Sequence, residues 1–369
     1  MTLDIKNLKP EEQAIYTLRS LYEKYGYKKY KISHFEEYSL YLKYKNFLKS
    51  QKILNFTNLD GKLLALKPDV TLSIIKNIKD EKFKVEKLFY TETVYRENLQ
   101  SNTFKEINQM GLEYIGDIDN YAVAEVIYLA KKSLENISDN YILELGHMGF
   151  ISAFLESLQI STEDVYEILQ YIKAKSSHEL LQKAEMLGLS EKQKEKLSLI
   201  TTMTGNFNTV IALAKSICVN DKMMNAISSL QDIYNTINTE NCKINLDLTL
   251  VNDNEFYDDI LFSGYLKGLS LPVLSGGRYD GLMRKLGKKS NAIGFAIYLN
   301  ELEQLPYKKQ EYDVDIAIIA SENCENKDLL KQVNNFTNKG YSVRVLNENN
   351  CNIKYKELYK FTQGGLEKC

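Results

Sequence analysis

The stretch Ser275-Gly276-Gly277-Arg278-Tyr279-Asp280-Gly281-Leu282 sets two adjacent glycines ahead of a charged and aromatic turn. Lacking a Cβ, paired glycines let the backbone approach a ligand or another strand closely. A tight turn alone would use the same pair, so the stretch takes its meaning from its neighbours. Downstream, Asn291-Ala292-Ile293-Gly294-Phe295-Ala296-Ile297-Tyr298-Leu299-Asn300-Glu301-Leu302 reads as an apolar strand running into a helix. Upstream, Ile244, Leu246, Leu248 and Leu250 alternate with Asn245, Asp247 and Thr249, the period of a half-buried strand over Lys243 to Val251.

Further out, the pattern from about Met148 to Ile237 is almost wholly helical, with Ser190 and Gln193 spaced as a capping box. Before it, Lys87 to Tyr95 and Leu112 to Ile115 read as strands separated by a polar loop. Pro10 opens a helical face of Ile15, Leu18, Leu21 and Tyr22, which Gly26 stops. After Pro306, Val314 to Ile319 reads as a strand, Lys327 to Asn338 as a helix ended by Gly340, and Tyr341 to Leu346 as a second strand. This βαβ unit is the whole content expected of the C-terminal segment. The chain is thus expected to be α+β, with a body over 1–308, a helical insertion at about 150–238, and a short α/β segment over 309–369.

Chemistry-bearing side chains gather in two places. In Leu66-Lys67-Pro68-Asp69-Val70-Thr71 a carboxylate and a hydroxyl follow a stiffened turn. Either could cap the helix that begins there, and together they could share one ammonium ligand by charge-assisted hydrogen bonds. In the second place Arg96 ends one strand, while Gln109, Gly111 and Glu113 lie on one face of the next because strand side chains alternate. Three polar groups converging there suit a small zwitterion; a solvated hairpin face is the plainer reading.

Bulk properties narrow the field. With 369 residues, two or three domains are expected. The 44% hydrophobic and 26% charged residues exclude a mostly disordered or fibrous chain. Basic residues (47) and acidic residues (49) nearly balance, so no global positive field attracts nucleic acid. The N-terminus has no signal-peptide core and no stretch is apolar enough to span a membrane, so a cytoplasmic protein is expected. Cys218, Cys242, Cys324, Cys351 and Cys369 form no C-x-x-C pair, and with only His34, His147 and His178 available neither a metal site nor a disulfide framework is expected. No cofactor is expected.

Taken together and in order, these segments resemble the histidyl-tRNA synthetase branch of the class II synthetases, from the N-terminus to about residue 305. Asp69 to Thr71 resemble its amino-acid-binding turn, Arg96 through Glu113 its motif 2, Gly276 to Leu282 its G-G-R-Y-D-G-L signature and Gly294 to Leu302 its motif 3. The resemblance implies a class II synthetase-like fold: a mixed, mostly antiparallel sheet with flanking helices. It also implies a histidine pocket in which Asp69 and Thr71 hold the ammonium, Arg96 and Gln109 the carboxylate end, and Glu113 with Tyr257 the imidazole.

Departures from the family pattern point away from catalysis. Where an active relative ends motif 3 as Gly-Leu-Glu-Arg-Leu, this chain has Tyr298-Leu299-Asn300-Glu301-Leu302. Charge develops on phosphate and carboxylate oxygens during amino-acid activation, so an acid replacing a guanidinium opposes the reaction. The family's Arg-Gly-Leu-Asp-Tyr-Tyr aligns with Asn252-Asp253-Asn254-Glu255-Phe256-Tyr257, which removes a second arginine. Ser33 stands in place of the motif 1 proline, Asn98 and Thr103 stand at motif 2 loop positions where acid and base are usual, and that loop is about one residue short. The roughly sixty residues after Pro306 fall short of the family's anticodon-binding domain. A degenerate body of this kind resembles the regulatory subunits of short-form ATP phosphoribosyltransferases, and Leu145-Gly146-His147-Met148-Gly149-Phe150 resembles their G-H-x-G segment. That resemblance implies a non-catalytic subunit required for the first step of histidine biosynthesis. Its expected partners are the short catalytic chain, histidine as effector, and a second copy met through the motif 1 region within a hetero-oligomer. A divergent histidyl-tRNA synthetase is the alternative.

Overall fold

The computed structural model describes residues 8–48, 52–80, 84–98, 101–238, 243–251, 256–307, 311–321, 324–346 and 353–369. Chain contacts divide it into a body, Pro10–Leu305, and a second unit containing Pro306–Cys369. The boundary expected at 308 lies outside the described residues, as do Asn252 to Glu255, Cys242 and Cys351.

The body opens with α1 (Pro10–Lys24), β1 (Lys28–Lys29), β2 (Phe35–Glu37), α2 (Tyr38–Lys43), β3 (Asn55–Thr57), β4 (Leu63–Leu66) and α3 (Val70–Asn77). Then come β5 (Glu86–Asn98), β6 (Thr103–Gly116), α4 (Asn120–Ile137) and β7 (Tyr141–His147). The helical stretch holds α5 (Met148–Ser157), α6 (Thr162–Lys173), α7 (Ser177–Met186), α8 (Glu191–Ile200), β8 (Thr204–Asn206), α9 (Phe207–Ile217) and α10 (Asp221–Ile237). The body closes with β9 (Ile244–Asp247), β10 (Ile260–Leu266), β11 (Leu274–Arg278), α11 (Asp280–Lys285), β12 (Asn291–Tyr298) and α12 (Leu299–Leu302).

Nine strands form one sheet in the order β1-β5-β6-β12-β11-β10-β7-β9-β8. It is mixed and mostly antiparallel, with β1–β5 and β7–β9 as its parallel pairs. Strand alternation gives the sheet two different faces. Phe89, Met110, Leu112, Ile293, Phe295 and Ile297 point into a core closed by α1 and α4. Here α1 supplies Ala14, Leu18 and Tyr22, four residues apart on one stripe, and the Tyr22 hydroxyl meets Ser133 Oγ of α4 at 2.8 Å. Gly26 ends the entry into β1 at φ +82°, a left-handed conformation that glycine adopts freely. On the opposite face Leu88, Tyr90, Ile115 and Ala292 join a second core with Tyr41, Ile74 and Tyr279.

Some expectations need correction. The strand read over Lys243 to Val251 stops at Asp247, whose buried Oδ1 accepts from the Thr249 N–H at 2.7 Å and from Thr249 Oγ1 at 2.5 Å. A side chain that binds its own backbone two residues on makes a turn, and here it overrides the apolar alternation. Within the helical stretch, β8 pairs antiparallel with β9 although its three residues include Gly205. The capping box is present: Gln193 Oε1 accepts from the Ser190 N–H at 2.9 Å. A separate sheet of order β2-β4-β3, built from three short strands, was not legible in the pattern.

The second unit contains β13 (Val314–Ala320), α13 (Asn326–Asn338), β14 (Val343–Leu346), β15 (Tyr355–Thr362) and β16 (Gly365–Lys368). The βαβ unit exists, since β13 and β14 are parallel, but it is not the whole segment. β15 adds parallel to β13, and β16 returns antiparallel across Gln363-Gly364-Gly365, with Gly365 at φ +112°. Ile316, Ile318 and Phe361 form its core under Leu329, Val333 and Phe336 of α13. Among the described residues no helix is long and apolar enough to cross a membrane.

Candidate functional site

The face of the sheet away from α1 and α4 carries a cavity whose floor is set by strand alternation. Tyr90 and Arg96 rise from β5, Gln109 and Glu113 from β6, and Gly294, Ala296 and Tyr298 from β12. Asp69, Val70 and Thr71 close one side where α3 starts, and Phe256, Tyr257 and Tyr279 close another. All six side chains singled out in the sequence, Asp69, Thr71, Arg96, Gln109, Glu113 and Tyr257, therefore line one space of about 40 Å³.

Asp69 takes the capping role that its turn allows. Its Oδ1 caps α3 by accepting from the Leu72 N–H at 3.0 Å, while its Oδ2 lies 3.6 Å from a terminal nitrogen of Arg96. Arg96 is steadied by donating from Nε to the Pro68 carbonyl at 2.9 Å. The carboxylate and guanidinium thus face one another across the rim, an arrangement able to grip the two ends of a zwitterion.

Glu113 is the chemical centre. It is 2% exposed, and its Oε1 and Oε2 accept from Thr71 Oγ1 at 3.0 Å and from the Tyr279 hydroxyl at 2.5 Å. No lysine or arginine pairs with it among the described residues. Burial pushes its carboxyl up to about 8; the two hydroxyls draw it down and Asp69 draws it up again. Burial likewise drives the Tyr90, Tyr257 and Tyr279 hydroxyls well above their ordinary range, so they stay neutral.

Two glycines make this possible. A Cβ on Gly294 would collide with the Glu113 carboxylate and the Leu112 carbonyl, so only glycine lets Glu113 lie across β12. A Cβ on Gly277 would come within 2.6 Å of the Tyr257 ring. The paired glycines of the opening stretch therefore have divided roles: Gly277 seats a cavity wall, while Gly276 faces Phe262 and Phe295 in the helical core. Gly111, expected beside Gln109 and Glu113, has the Tyr90 ring over its α-carbon, so that tyrosine occupies the space between them.

Other residues marked in the sequence lie elsewhere. His147 caps α5, its Nδ1 accepting from the Gly149 N–H at 3.1 Å, and its Nε2 donates to Asp259 at 2.8 Å. Burial raises the Asp259 carboxyl, but His147 and Arg278 more than offset it and hold the group below its ordinary value. Arg278 donates from Nε to Asp280 at 2.8 Å, and Glu301 accepts from Gln304 at 2.9 Å. Sequence reasoning missed Tyr90 and Tyr279 as cavity walls; strand alternation opposite Gly111 would have found Tyr90. Among the described residues no cluster of histidine, cysteine and acid is placed to hold a metal ion.

Against known proteins, the sequence pattern of the histidyl-tRNA synthetase family matches residues 3–302. The ATP phosphoribosyltransferase regulatory subunit of Oceanobacillus iheyensis is 26% identical over 325 residues, covering 86% of this chain and 80% of that protein. The crystal structure of an ATP phosphoribosyltransferase regulatory subunit/histidyl-tRNA synthetase from Bacillus halodurans superposes with a TM-score of 0.79 at 21% identity, over 95% of this chain and 93% of that one. A chain of the ATP phosphoribosyl transferase complex from Thermotoga maritima superposes with a TM-score of 0.63 at 18% identity, over 78% and 97% respectively.

Proposed function

Because the chain belongs to the histidyl-tRNA synthetase family, we propose that it is the non-catalytic regulatory subunit of an ATP phosphoribosyltransferase, acting at the first step of histidine biosynthesis. The name of the Oceanobacillus relative and the fold shared with a chain of the Thermotoga complex support this reading. The observation that carries it is an asymmetry within the cavity region. The amino-acid half is assembled from Asp69, Thr71, Arg96, Gln109, Glu113 and Tyr257, yet the motif 3 end offers Tyr298, Asn300 and Glu301 in place of a phosphate-binding arginine. Asn300 is occupied with the Asn108 N–H at 2.6 Å and Glu301 with Gln304, so neither serves an anion. The retained half would bind histidine as the feedback signal: ammonium at Asp69 and Thr71, carboxylate at Arg96 and Gln109, imidazole at Glu113 and Tyr257. To regulate, histidine must favour one conformation of the complex, with a coupling of about 1–3 kcal/mol being typical.

The partner is the short catalytic chain. A second copy would meet the motif 1 region, where Phe35 and Phe56, 46% and 41% exposed, stack edge to face 5.7 Å apart on β2 and β3. Co-expression with the short catalytic chain tests the assignment: phosphoribosyl transfer should rise when this protein is present. Histidine-dependent ATP–pyrophosphate exchange by the purified chain would instead establish a divergent synthetase. Calorimetry on Asp69→Ala and Glu113→Ala tests the pocket, whose assignment falls if both retain the histidine affinity of the parent.

A further inference from the structure

Glu113 is a buried acid with no cation paired to it among the described residues. The start of α3 brings Thr71, a neutral donor, and Asp69, an acid that raises Glu113 further. From β5 comes Tyr90, and Arg96 of the same strand is engaged with Asp69 and the Pro68 carbonyl. Tyr257 faces it from the segment before β10 and Tyr279 from the turn after β11. From β12 comes Gly294, with no side chain. At neutral pH the carboxyl therefore keeps its proton, held up by burial to about 8.

We propose that Glu113 and the imidazole of a bound histidine together hold a single proton, so that the pocket binds most tightly near neutral pH and more weakly on either side. The inference rests on the histidine pocket proposed above. A free imidazole titrates near ~6.5. Between that value and the Glu113 titration, the empty pocket carries one proton and the ligand ring none. On binding, the Glu113 proton moves toward the facing ring nitrogen, making a carboxylate and imidazolium pair with no net exchange with solvent. In more acid solution both groups arrive protonated, and one proton must leave. In more alkaline solution neither does, and one must be taken up. Outside the window, affinity falls about tenfold per pH unit.

The test is calorimetry of the full chain with L-histidine at about pH 5.5, 7.2 and 8.7, each in two buffers of different ionisation enthalpy. The parent should release close to one proton at the acid value, exchange little at the middle one and take up close to one at the alkaline value. The ligand's own α-ammonium also titrates in the alkaline range, so Glu113→Gln is the reference: it should take up about one proton fewer there while keeping the acid release. If Glu113→Gln binds too weakly, triazolylalanine, whose ring is basic only in strong acid, replaces histidine with the parent and should abolish the acid release. Equal alkaline uptake by parent and Glu113→Gln, or unchanged acid release with triazolylalanine, overturns proton sharing. Absence of histidine binding by the parent at every pH overturns the pocket reading itself.

Discussion

Glu92 and Glu125 bury their carboxylates in the framework of the body and Glu113 buries its own in the cavity, and the framework pair is provided for differently. Glu92 of β5 meets the fully buried Lys67 ammonium at 2.5 Å. Glu125 of α4 meets Lys87 at 2.7 and 3.0 Å and the Tyr27 hydroxyl at 3.0 Å. Glu113 receives two hydroxyls and, among the described residues, no cation. A buried acid with its own ammonium is complete, and its geometry is fixed by the pair. A buried acid without one keeps its proton and stays responsive to whatever basic group arrives. Fold and function thus use the same residue type, separated by whether a lysine lies within reach.

That contrast can be tested where it predicts the largest effect. Glu113 has a folded-state value near 8 against about 4.3 for an unfolded glutamate, so its stabilising contribution is complete below about pH 4.3 and is lost as pH rises through 8. Across most of that range the parent should lose stability relative to Glu113→Gln by on the order of 4 kcal/mol, read from urea unfolding at about pH 5 and pH 8.5. Parallel pH profiles for the two proteins would break the comparison. In the framework the sign reverses: Lys67→Met strands Glu92 and should cost about 3–5 kcal/mol at neutral pH, much of it recovered in a Lys67→Met, Glu92→Leu double variant. Gly294→Ala drives a methyl group into the Glu113 carboxylate and should cost about 1–3 kcal/mol in unfolding free energy while lowering histidine affinity further than that loss of stability implies. The smallest effect sharpens the contrast from outside the cavity: His147→Ala removes the α5 cap, should cost about 1 kcal/mol, and should leave the pH response traced to Glu113 in place.

How far the sequence could be read depended on the range of the interaction involved. The convergence of Gln109 and Glu113 follows from period-two alternation, a local property, and Asp69, marked by a local turn as a cap or a ligand group, caps α3 with one oxygen and faces Arg96 with the other. That no cation among the described residues pairs with Glu113 was not legible, because it depends on where Lys67 and Lys87 point after folding. Tyr90 lay within a strand that had been recognised, but its place in the cavity needed the pairing with Gly111. The β15–β16 hairpin was overlooked although Gly364-Gly365 marks its turn, since Tyr355-Lys356-Glu357-Leu358-Tyr359-Lys360 alternates weakly with charge on both faces. Asp247 ended a strand that the apolar pattern carried four residues too far, a failure of side-chain hydrogen bonding to register in hydrophobic periodicity.

The register of β6 against β12, in which Glu113 sits opposite Gly294 and Gln109 opposite Tyr298, has a consequence for how the molecule is made. These partners are far apart in the chain, with the whole helical stretch between them, so closing that loop comes late. During synthesis the hairpin of β5 and β6 can form while Glu113 is still hydrated and ionised. Only when β12 has emerged and docked does the acid lose its water and take up a proton, so the cavity is completed by one of the last strands of the body to be translated.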